Sequence, residues 1–420
     1  MKKFNNIKDV LAYIENKTNF QLGLLRVEKF LEEANIEYEK IKFIHIAGTN
    51  GKGSVSNYLS NILINEGYKT GFFSSPSIQG HNDRIRINNE FISDDSIIQF
   101  VNEYYDLIEE TKVTMFEIDV LMALDYFSKN NVEYGVIEVG MGGRFDGTNV
   151  IVPLLSIITN IGMDHTNYLG TTLEEIAYNK AGIIKNCSFV VTAEQNDIAY
   201  NVIKKCANIM NSQVFKVKDA QIVSSNPFVF NYKSHENIIL KSKAYYQIRN
   251  ACTVLEAIDV LRNQLSINIS EKSVRDSLEN ITWPGRFEVM STNPLIIIDG
   301  AHNLEGIEAL SKSLSYFEDY QKTVLFTALE DKDTSHMLET LNGISHNLVL
   351  TTFDFYRAAN FEQLDPNNKY KHINNYEIYI DDMITKMQQD DMLIITGSLY
   401  FITEIRNYLL NTLKIDKKSL

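Results

Sequence analysis

The sequence lacks three features that would each point to a particular class of protein. Its 420 residues include three cysteines, Cys187, Cys206 and Cys252, which show no metal-ligand spacing and cannot all pair, so we expect free thiols. Basic residues number 40 against 54 acidic ones, and the net charge of -14 argues against a nucleic-acid-binding protein. No apolar run approaches a bilayer span, and the first residues lack the apolar segment of a signal peptide. We therefore expect a cytoplasmic protein that binds neither nucleic acid nor membranes.

The length and composition are those of a folded protein with two domains of ordinary size. Hydrophobic residues make up 44% and charged residues 22% of the chain, the balance of a globular protein. Strand-like and helical patterns alternate, which predicts parallel strands joined by crossover helices in a sheet covered on both faces. The strands predicted first are Phe43–Ala47, Thr70–Phe73, Tyr134–Val139, Leu154–Thr159 and Phe189–Thr192. The helices predicted are Ile7–Asn16, Leu22–Ala34, Asp94–Glu110 and Phe116–Lys129. Residues 84–92 predict a hairpin that turns at Asn88-Asn89.

A break near residues 282–286 separates two alternating series. This segment holds the only tryptophan, Trp283, followed by the turn-forming pair Pro284-Gly285. The second series has four predicted strands, at Leu295–Ile298, Lys322–Thr327, Asn347–Thr352 and Met392–Thr396. We predict an α/β protein with a P-loop-type, mostly parallel sheet domain over residues 1–286. A smaller, Rossmann-like α/β domain follows over residues 287–420, ending in a charged, frayed tail at Lys414–Leu420.

The most informative segment is the stretch from Ala47 to Ser54, with the sequence Ala-Gly-Thr-Asn-Gly-Lys-Gly-Ser. It follows a predicted strand and precedes an amphipathic helix, which predicts a phosphate-binding loop. Backbone N–H groups would surround the phosphates, Lys52 would add a positive charge, and the Ser54 hydroxyl would reach Mg²⁺. A glycine separates the lysine from the serine, unlike the common G-x-x-x-x-G-K-[ST] spacing. The alternative is an ordinary glycine-rich turn that caps a helix.

Three further strands end in polar residues, at the edge where open α/β sheets bind ligands. Ser74 and Ser75 follow one strand, Glu138 lies in another that leads into glycines, and Asp164-His165 follow a third. Mg²⁺ takes one or two protein ligands besides phosphate oxygens and water, so Glu138 is a candidate magnesium ligand. A carboxylate paired with a lysine, or capping a loop, is the alternative. On chemistry alone, His165 is explained better by structural hydrogen bonding than by metal ligation.

The remaining candidates have simple structural explanations of their own. Lys180 lies near a helix end, where a cation balances the helix dipole. Asp299 and His302 follow a strand and can share a site, although the segment also suits helix capping through Asn303. Ser398 follows another strand and is explained equally well as a helix cap.

Together these segments resemble the folylpolyglutamate synthase / dihydrofolate synthase family, a branch of the ATP-dependent Mur-ligase superfamily. The similarity extends over nearly the whole chain and keeps the family's order of motifs. The matching segments are Leu22–Val27, His45–Ser54, Asn82–Ile87, Glu138–Asn149, Asp164-His165, Leu169-Gly170, Lys180–Lys185, Pro284–Glu288, Asp299–Asn303 and Gly397–Tyr400.

The resemblance implies an ATP-dependent ligase that adds L-glutamate to dihydropteroate, to reduced folates, or to both. In the family, ATP converts a carboxylate into an acyl phosphate, the amine of glutamate attacks it, and phosphate leaves. Mg²⁺ and the residue matching Lys52 neutralise charge on the transferring phosphoryl group. A cleft between two domains excludes water from the acyl phosphate. The segment Gly142–Asp146 resembles the bifunctional bacterial form.

The resemblance also implies roles for individual residues. Two Mg²⁺ sites would involve Ser54, Ser75, Glu138 and His165, together with Lys180 carbamylated into a carboxylate-like ligand. ATP would be bound by Gly48, Thr49, Asn50, Gly51, Lys52, Gly53, Ser54, Asn250, Arg286 and Asp299. The pterin end of the acceptor would lie near Thr114, Met115, Phe116, Glu117, Arg144, Phe145 and Asp146, and the glutamate end near His302 and Ser398. The catalytic residues would be Lys52, Lys180, Asp299 and His302.

Four positions depart from the family pattern. Ser77 stands where the family often has His, Asp83 where it has Glu, Asp119 where it often has Thr, and Asn179 where it commonly has Glu. None touches the proposed metal or phosphate groups, and the first two border the folate pocket, so they bear on pocket detail rather than on the reaction class.

Two other functions stay open from the sequence, and both differ from a folate ligase in a testable way. A peptidoglycan-precursor ligase would carry a nucleotide-sugar domain before the phosphate loop, whereas 47 residues precede Gly48 here. A nucleotide-binding regulator that has lost catalysis would need few of the residues Lys52, Glu138, His165, Lys180 and His302. We expect a monomer that uses only small-molecule substrates.

Overall fold

The chain folds into two compact units in this computed structural model, which describes residues 3–18 and 23–413. Leu22 and the predicted tail Lys414–Leu420 lie outside the described residues. The first unit comprises the described residues up to 221 together with 232–238 and 249–281, and the second comprises 222–231, 239–248 and 282–413. None of the helices in the described ranges is long and apolar enough to cross a membrane.

The first unit is built on a mostly parallel sheet of eight strands in the order β4-β3-β2-β5-β1-β6-β7-β8. The strands are β1 (Lys42–Ala47), β2 (Thr70–Phe73), β3 (Ile85–Ile87), β4 (Glu90–Phe91), β5 (Tyr134–Glu138), β6 (Pro153–Ile158), β7 (Phe189–Thr192) and β8 (Gln213–Lys216). The pairings of β2 with β3 and of β3 with β4 are antiparallel. β1 and β5 are almost entirely buried, as expected for central strands covered on both faces.

Helices cover this sheet and form two hydrophobic clusters with it. They are α1 (Ile7–Glu15), α2 (Leu25–Ala34), α3 (Lys52–Asn65), α4 (Asp94–Thr111), α5 (Met115–Lys129), α6 (Thr166–Leu169), α7 (Leu173–Lys180), α8 (Asp197–Ile209), α9 (Tyr246–Asn263) and α10 (Glu271–Asn280). One cluster joins Phe43 and Phe73 to α1, α2, α4 and α5, and the other joins Ile158 and Val190 to α7 and α8. Capping boxes begin α5 at Thr114 and α7 at Thr172.

The second unit has a six-stranded sheet in the order β12-β13-β17-β14-β15-β16. Its strands are β12 (Glu288–Thr292), β13 (Leu295–Asp299), β14 (Gln321–Phe326), β15 (Asn347–Thr351), β16 (Lys371–Ile373) and β17 (Asp391–Thr396), and its helices are α11 (Leu304–Leu314), α12 (Thr334–Asn342), α13 (Phe361–Leu364), α14 (Tyr376–Lys386) and α15 (Leu399–Thr412). A separate three-stranded sheet has the order β11-β10-β9 and contains β9 (Gln221–Ser225), β10 (Phe228–Tyr232) and β11 (His235–Ile239).

The fold confirms the predicted α/β class and corrects its detail. The nine predicted strands are present to within one or two residues, and the hairpin turns at Asn88 and Asn89, both in the left-handed conformation. The prediction of four strands in the second domain is wrong, because the described sheet also contains β12 and β16. β16 is a three-residue edge strand with no fully buried side chain, so it carries no hydrophobic pattern to detect. β8 to β11 were also missed, and β8 and β9 are likewise poorly buried.

Candidate active site

The sheet of the first unit brings the polar strand ends of the sequence analysis to one edge. Strands β2, β5, β1 and β6 are consecutive neighbours and run parallel. Their registers pair Ile46 with Glu138, Phe73 with Ile137, and Ala47 with Ile158. The segments that follow these strands, which carry Ser75, Glu138, the phosphate loop and His165, therefore leave the sheet at the same edge, where open α/β sheets bind ligands.

The phosphate loop is a tight turn that only glycine allows at two positions. Gly48 has φ +152°, and a Cβ built there would lie 1.8 Å from Thr159 Oγ1. Gly51 has φ +86° and caps the N-terminus of α3, and a Cβ there would lie 2.5 Å from Asn250 Oδ1. Lys52, Gly53 and Ser54 form the first turn of α3, so their backbone N–H groups belong to the positive end of a 14-residue helix.

Two residues at the end of β6, Thr159 and Asn160, brace this loop, and the sequence analysis assigned them no role. Thr159 Oγ1 donates to the carbonyl of Asn50 at 2.6 Å. Asn160 accepts from the N–H of Asn50 through Oδ1 at 2.8 Å and from the N–H of Thr49 through its carbonyl at 2.9 Å. The Thr49 hydroxyl in turn accepts from the N–H of Gly162 at 2.8 Å. The only signal in the sequence is that β6 ends in polar residues beside β1.

Two lysines from distant parts of the chain meet at one loop carbonyl. Lys52 Nζ and Lys180 Nζ each donate to the carbonyl oxygen of Gly48 at 3.0 Å. Lys180 is the last residue of α7 and is only 3% exposed. Burial, and secondarily the charge of Lys52, lowers the pKa of Lys180 to about 7, although Asp164 and Asp146 oppose the shift. Lys180 also lies in the last turn of α7, as the alternative of a cation at the negative end of the helix dipole expects.

The predicted metal ligands differ in accessibility. Ser54 and Glu138 are buried, Ser75 is half-buried, and His165 is exposed in a left-handed conformation just before α6. No group of three His, Cys, Asp or Glu residues with metal-binding geometry occurs within residues 3–18 and 23–413. Hydroxyl and carboxylate oxygens are the donors that suit Mg²⁺, which needs few protein ligands. Ligation by these residues stays a prediction.

Side chains in the segments predicted near the pterin make contacts with other residues of the first unit. The Glu117 carboxylate completes the capping box of α5 and pairs with Arg26 at 2.9 Å. Phe116 is half-buried and lies edge-on to Phe73, with ring centroids 5.8 Å apart. Arg144 lies over the ring of Tyr178, whereas Phe145 is 48% exposed.

Asp146 is a buried acceptor of hydrogen bonds from its own loop. It accepts from the Met141 N–H at 2.8 Å and from the Thr148 N–H at 3.0 Å and hydroxyl at 2.5 Å. Burial raises the pKa of Asp146, and these hydrogen bonds oppose the rise. A direct contact between Asp146 and substrate stays a prediction.

Two of the residues that depart from the family pattern, Asp83 and Asp119, make polar contacts within the first unit. Asp119, which is fully buried on α5, pairs with His81 Nε2 at 2.8 Å and lies 3.4 Å from the Arg84 guanidinium. Asp83 accepts from the backbone N–H groups of Ile78 and Gln79 and so shapes the segment after β2.

In the second unit, the turn after β13 is organised by Asp299. Its carboxylate accepts from the Tyr246 hydroxyl at 2.6 Å and from the N–H groups of Phe287 and Ala301 at 2.8 Å. Burial raises the pKa of Asp299, while these hydrogen bonds and Arg286 oppose the rise. Tyr246 was missed, because nothing in its local sequence links it to a strand end 53 residues away.

Two neighbouring candidates of the second unit, Arg286 and His302, contact one backbone carbonyl of this turn. Arg286 donates to the Gly300 carbonyl at 3.2 Å, and His302 Nδ1 lies 2.8 Å from the same oxygen. Asn303 caps α11 through the N–H of Gly306, which confirms the capping prediction. Ser398 occupies the N-cap position of α15, but its side chain makes no cap hydrogen bond, so side-chain capping by Ser398 is wrong. Its buried hydroxyl has no hydrogen-bond partner in the described structure.

Comparisons with known proteins agree with this architecture. Family models match the Mur ligase middle domain over residues 46–256 and the Mur ligase glutamate ligase domain over residues 285–399. The dihydrofolate synthase/folylpolyglutamate synthase of Bacillus subtilis is 34% identical to this chain, covering 97% of it and 100% of that protein. The folylpolyglutamate synthase of Lacticaseibacillus casei is 32% identical over 88% of this chain and 90% of its own. A solved structure of Mycobacterium tuberculosis folylpolyglutamate synthase complexed with ADP has a TM-score of 0.87 and 26% identity, covering 96% of this chain and 98% of that one.

The parallel sheet, its phosphate loop and the second α/β unit are thus those of a Mur ligase. Within the Mur ligases, the chain belongs to the folylpolyglutamate synthase / dihydrofolate synthase family. The resemblance drawn from the motifs is confirmed.

Proposed function

We propose that this protein is an ATP-dependent ligase that joins L-glutamate to dihydropteroate and to reduced folates through an acyl phosphate. The observation that carries the proposal is the phosphate loop with Lys52 and the buried Lys180 on one carbonyl, in a chain similar along its length to a dihydrofolate synthase/folylpolyglutamate synthase. The first unit would bind ATP and the acceptor, and the second would carry the glutamate ligase function that its family model describes.

The first unit supplies the groups that the phosphoryl transfer needs. The N–H groups at the start of α3 bind phosphate oxygens, and the Lys52 ammonium, which donates to the Gly48 carbonyl, adds positive charge at the loop. Ser54, Ser75, Glu138 and His165 would hold Mg²⁺, which neutralises charge on the transferring phosphoryl group. Thr159 and Asn160 keep the loop rigid, so its dipoles need not reorganise during reaction.

Lys180 is suited to carbamylation. The reaction joins the neutral amine to CO₂, gives Lys–NH–COO⁻ and releases one proton, so it requires an unprotonated lysine. The pKa of about 7, caused by burial and by Lys52, leaves a large neutral fraction at physiological pH, whereas an ordinary lysine is almost fully protonated. Carbamylation would replace the positive charge of Lys180 beside Lys52 with a negative one. The carbamate oxygens would then be available as metal ligands.

Phosphate release tests the proposal directly. The protein is supplied with ATP, Mg²⁺ and L-glutamate, and phosphate is measured with dihydropteroate, tetrahydrofolate, a nucleotide-sugar peptide or no acceptor. We expect release with both pterin acceptors and not with the other two. Lys52→Ala should lose at least 100-fold in rate, the order of loss seen when a preorganised charge-stabilising group is removed. Lys40→Ala, which removes an exposed lysine away from the loop, is the matched control.

Each alternative function gives a different result in this assay. ATP binding without release for any acceptor would identify a nucleotide-binding regulator and overturn the ligase proposal. Release with only the nucleotide-sugar acceptor would identify a peptidoglycan-precursor ligase. Release with tetrahydrofolate but not dihydropteroate would contradict bifunctionality alone.

A further inference from the structure

A chain of three buried side chains connects the central strand β1 to the loop that follows β5. His45 in β1 is fully buried, and its Nε2 lies 2.9 Å from the hydroxyl oxygen of Thr148, which is also fully buried. The Thr148 hydroxyl donates to Asp146 Oδ1 at 2.5 Å. The function described above uses neither His45 nor Thr148.

The donor and acceptor of each hydrogen bond in this series of side chains follow from counting protons. Thr148 has one hydroxyl proton and gives it to Asp146, so its oxygen can only accept from His45. His45 must then carry its proton on Nε2, and Nδ1 stays unprotonated. Nδ1 is buried and has no hydrogen-bond partner in the described structure, which fits a neutral ring. Burial lowers the pKa of His45 to about 3, so the ring stays neutral at physiological pH.

At the end away from His45, the hydrogen-bonded side chains hold the acceptor loop, which we define as residues 140–148. Asp146 Oδ2 accepts from the backbone N–H of Met141, while Oδ1 accepts both donors of Thr148. These three donors engage both carboxylate oxygens, so they fix the orientation of the carboxylate within the loop.

The acceptor loop in turn shapes the surroundings of Phe116. A Cβ on Gly140 would lie 2.5 Å from the Phe116 ring, and one on Gly147 would lie 3.8 Å from it. The backbone of the loop is therefore packed directly against this aromatic side chain, and a shift of the loop would displace or expose the ring.

We propose that His45 and Thr148 are positioning residues for the pterin-bearing acceptor, acting through Asp146 on the acceptor loop and on Phe116. The inference rests on the proposed function for its substrate. We assign this role to binding of the acceptor and not of ATP, because the hydrogen bonds of His45 and Thr148 in the described structure lead to Asp146 and not to the phosphate loop.

Two substitutions at Thr148 separate the hydrogen-bond chain from simple packing. Thr148→Val keeps the shape but leaves the His45 N–H without an acceptor and takes one donor from Asp146, whereas Thr148→Ser keeps the hydroxyl. In the phosphate-release assay we expect Thr148→Val to raise the KM for dihydropteroate about tenfold, the size expected for one lost hydrogen bond to a charged group. The KM for ATP should change less than twofold, and Thr148→Ser should stay within threefold of wild type in both. Equal rises in both KM values, a Thr148→Ser variant as impaired as Thr148→Val, or no change in Thr148→Val would overturn the proposal.

A second measurement does not depend on catalysis. Nitrogen-15 NMR of the histidine rings should show His45 with its proton on Nε2 and no titration between pH 5 and 8, and in Thr148→Val the Nε2–H signal should shift. A proton on Nδ1 would overturn the inference even in an active enzyme. If instead the wild type releases no phosphate with any acceptor while His45 shows the expected tautomer, the hydrogen-bond chain stands. The proposed function then fails, and with it the assignment of the chain to a pterin acceptor.

Discussion

Lys180 is the residue whose chemistry depends most on its surroundings. The same side chain on an exposed helix end would be an ordinary cation, but here it is buried against the Gly48 carbonyl beside Lys52. Two ammonium groups on one carbonyl in a buried site repel each other, and the one that is more deeply buried gives up its proton more readily. This environment favours the neutral amine of Lys180, which is the form that the proposed carbamylation requires.

We expect Lys180→Ala to lower the rate of phosphate release roughly 10- to 100-fold, the range seen when a group that supports a metal site is removed. Formate or acetate should restore part of the activity, because a small carboxylate replaces the carbamate oxygens. Lys185→Ala is the matched control, since Lys185 is half-buried and, like Lys180, donates to a backbone carbonyl. No carboxylate rescue is expected for Lys185→Ala. Wild-type turnover in Lys180→Ala would refute a carbamate role.

The burial of His45 predicts that the free energy of unfolding of the protein depends on pH. Its pKa is about 3 in the folded protein and near 6.5 in the unfolded chain, so the unfolded state binds the extra proton between these values. The contribution of neutral His45 is therefore complete above pH 6.5 and is lost as pH falls, by at most about 1.4 kcal/mol per unit. The free energy of unfolding of wild type should exceed that of His45→Gln by about 1–2 kcal/mol more at pH 7 than at pH 5. Denaturant unfolding at both values checks this, and a difference independent of pH would contradict it.

At the scale of elements, the phosphate loop shows how a strand, a turn and a helix are joined under tight steric limits. The loop passes so close to the end of β6 that Gly48 has no room for a side chain. Thr159 donates a hydrogen bond to the loop and Asn160 accepts from it, and these bonds hold the loop in place. The order of the strands, with β6 directly beside β1, is what makes this bracing possible.

Gly48→Ala should weaken nucleotide binding at least tenfold, because its Cβ would overlap Thr159 Oγ1 and displace the loop. Gly67→Ala is the matched control, since Gly67 also has a positive φ, +97°, but nothing lies within 4 Å of the added Cβ. Gly67→Ala should lose only about 1 kcal/mol of stability through backbone strain, and its affinity for ADP should stay within twofold of wild type. Equilibrium binding of ADP, with thermal unfolding to verify folding, makes the comparison. Equal affinities in the two variants would show that the loop tolerates the displacement.

Element prediction succeeded where burial imposes a pattern. Central strands such as β1 and β5 have apolar side chains on both faces, and helices such as α4 and α5 begin at capping residues, so both left clear signals. Edge strands such as β16 bury few side chains, so they leave no clear hydrophobic pattern in the sequence. The candidate site shows the same division, because motif residues such as Lys52 were identified and their bracing partners such as Thr159 were not.

At the scale of the whole molecule, each unit has hydrophobic clusters of its own. Two cores with separate sheets can unfold at different temperatures, so we expect two calorimetric transitions. The single tryptophan, Trp283, is buried in the second unit and reports its unfolding by fluorescence.

ADP at 100 times its dissociation constant should stabilise the first unit by about 2.7 kcal/mol, because a ligand that binds only the folded state shifts the unfolding equilibrium by mass action. Calorimetry with and without ADP measures the shift, and Trp283 fluorescence identifies which transition belongs to the second unit. The same experiment with Lys52→Ala should show a smaller shift at the same ADP concentration. A first-unit transition that ADP leaves unmoved would contradict nucleotide binding by this loop.

The sequence by itself determined the α/β class, the phosphate loop and the family, because these depend on local patterns and on motifs that keep their order along the chain. Only the tertiary structure decided which distant residues act on those motifs. Thr159 and Asn160 brace a loop about 110 residues away, and His45 reaches Asp146 through Thr148, 103 residues further along the chain. The pKa of Lys180 likewise depends on burial beside Lys52. Parallel strands join segments that are far apart in sequence, so these contacts leave no local pattern to read.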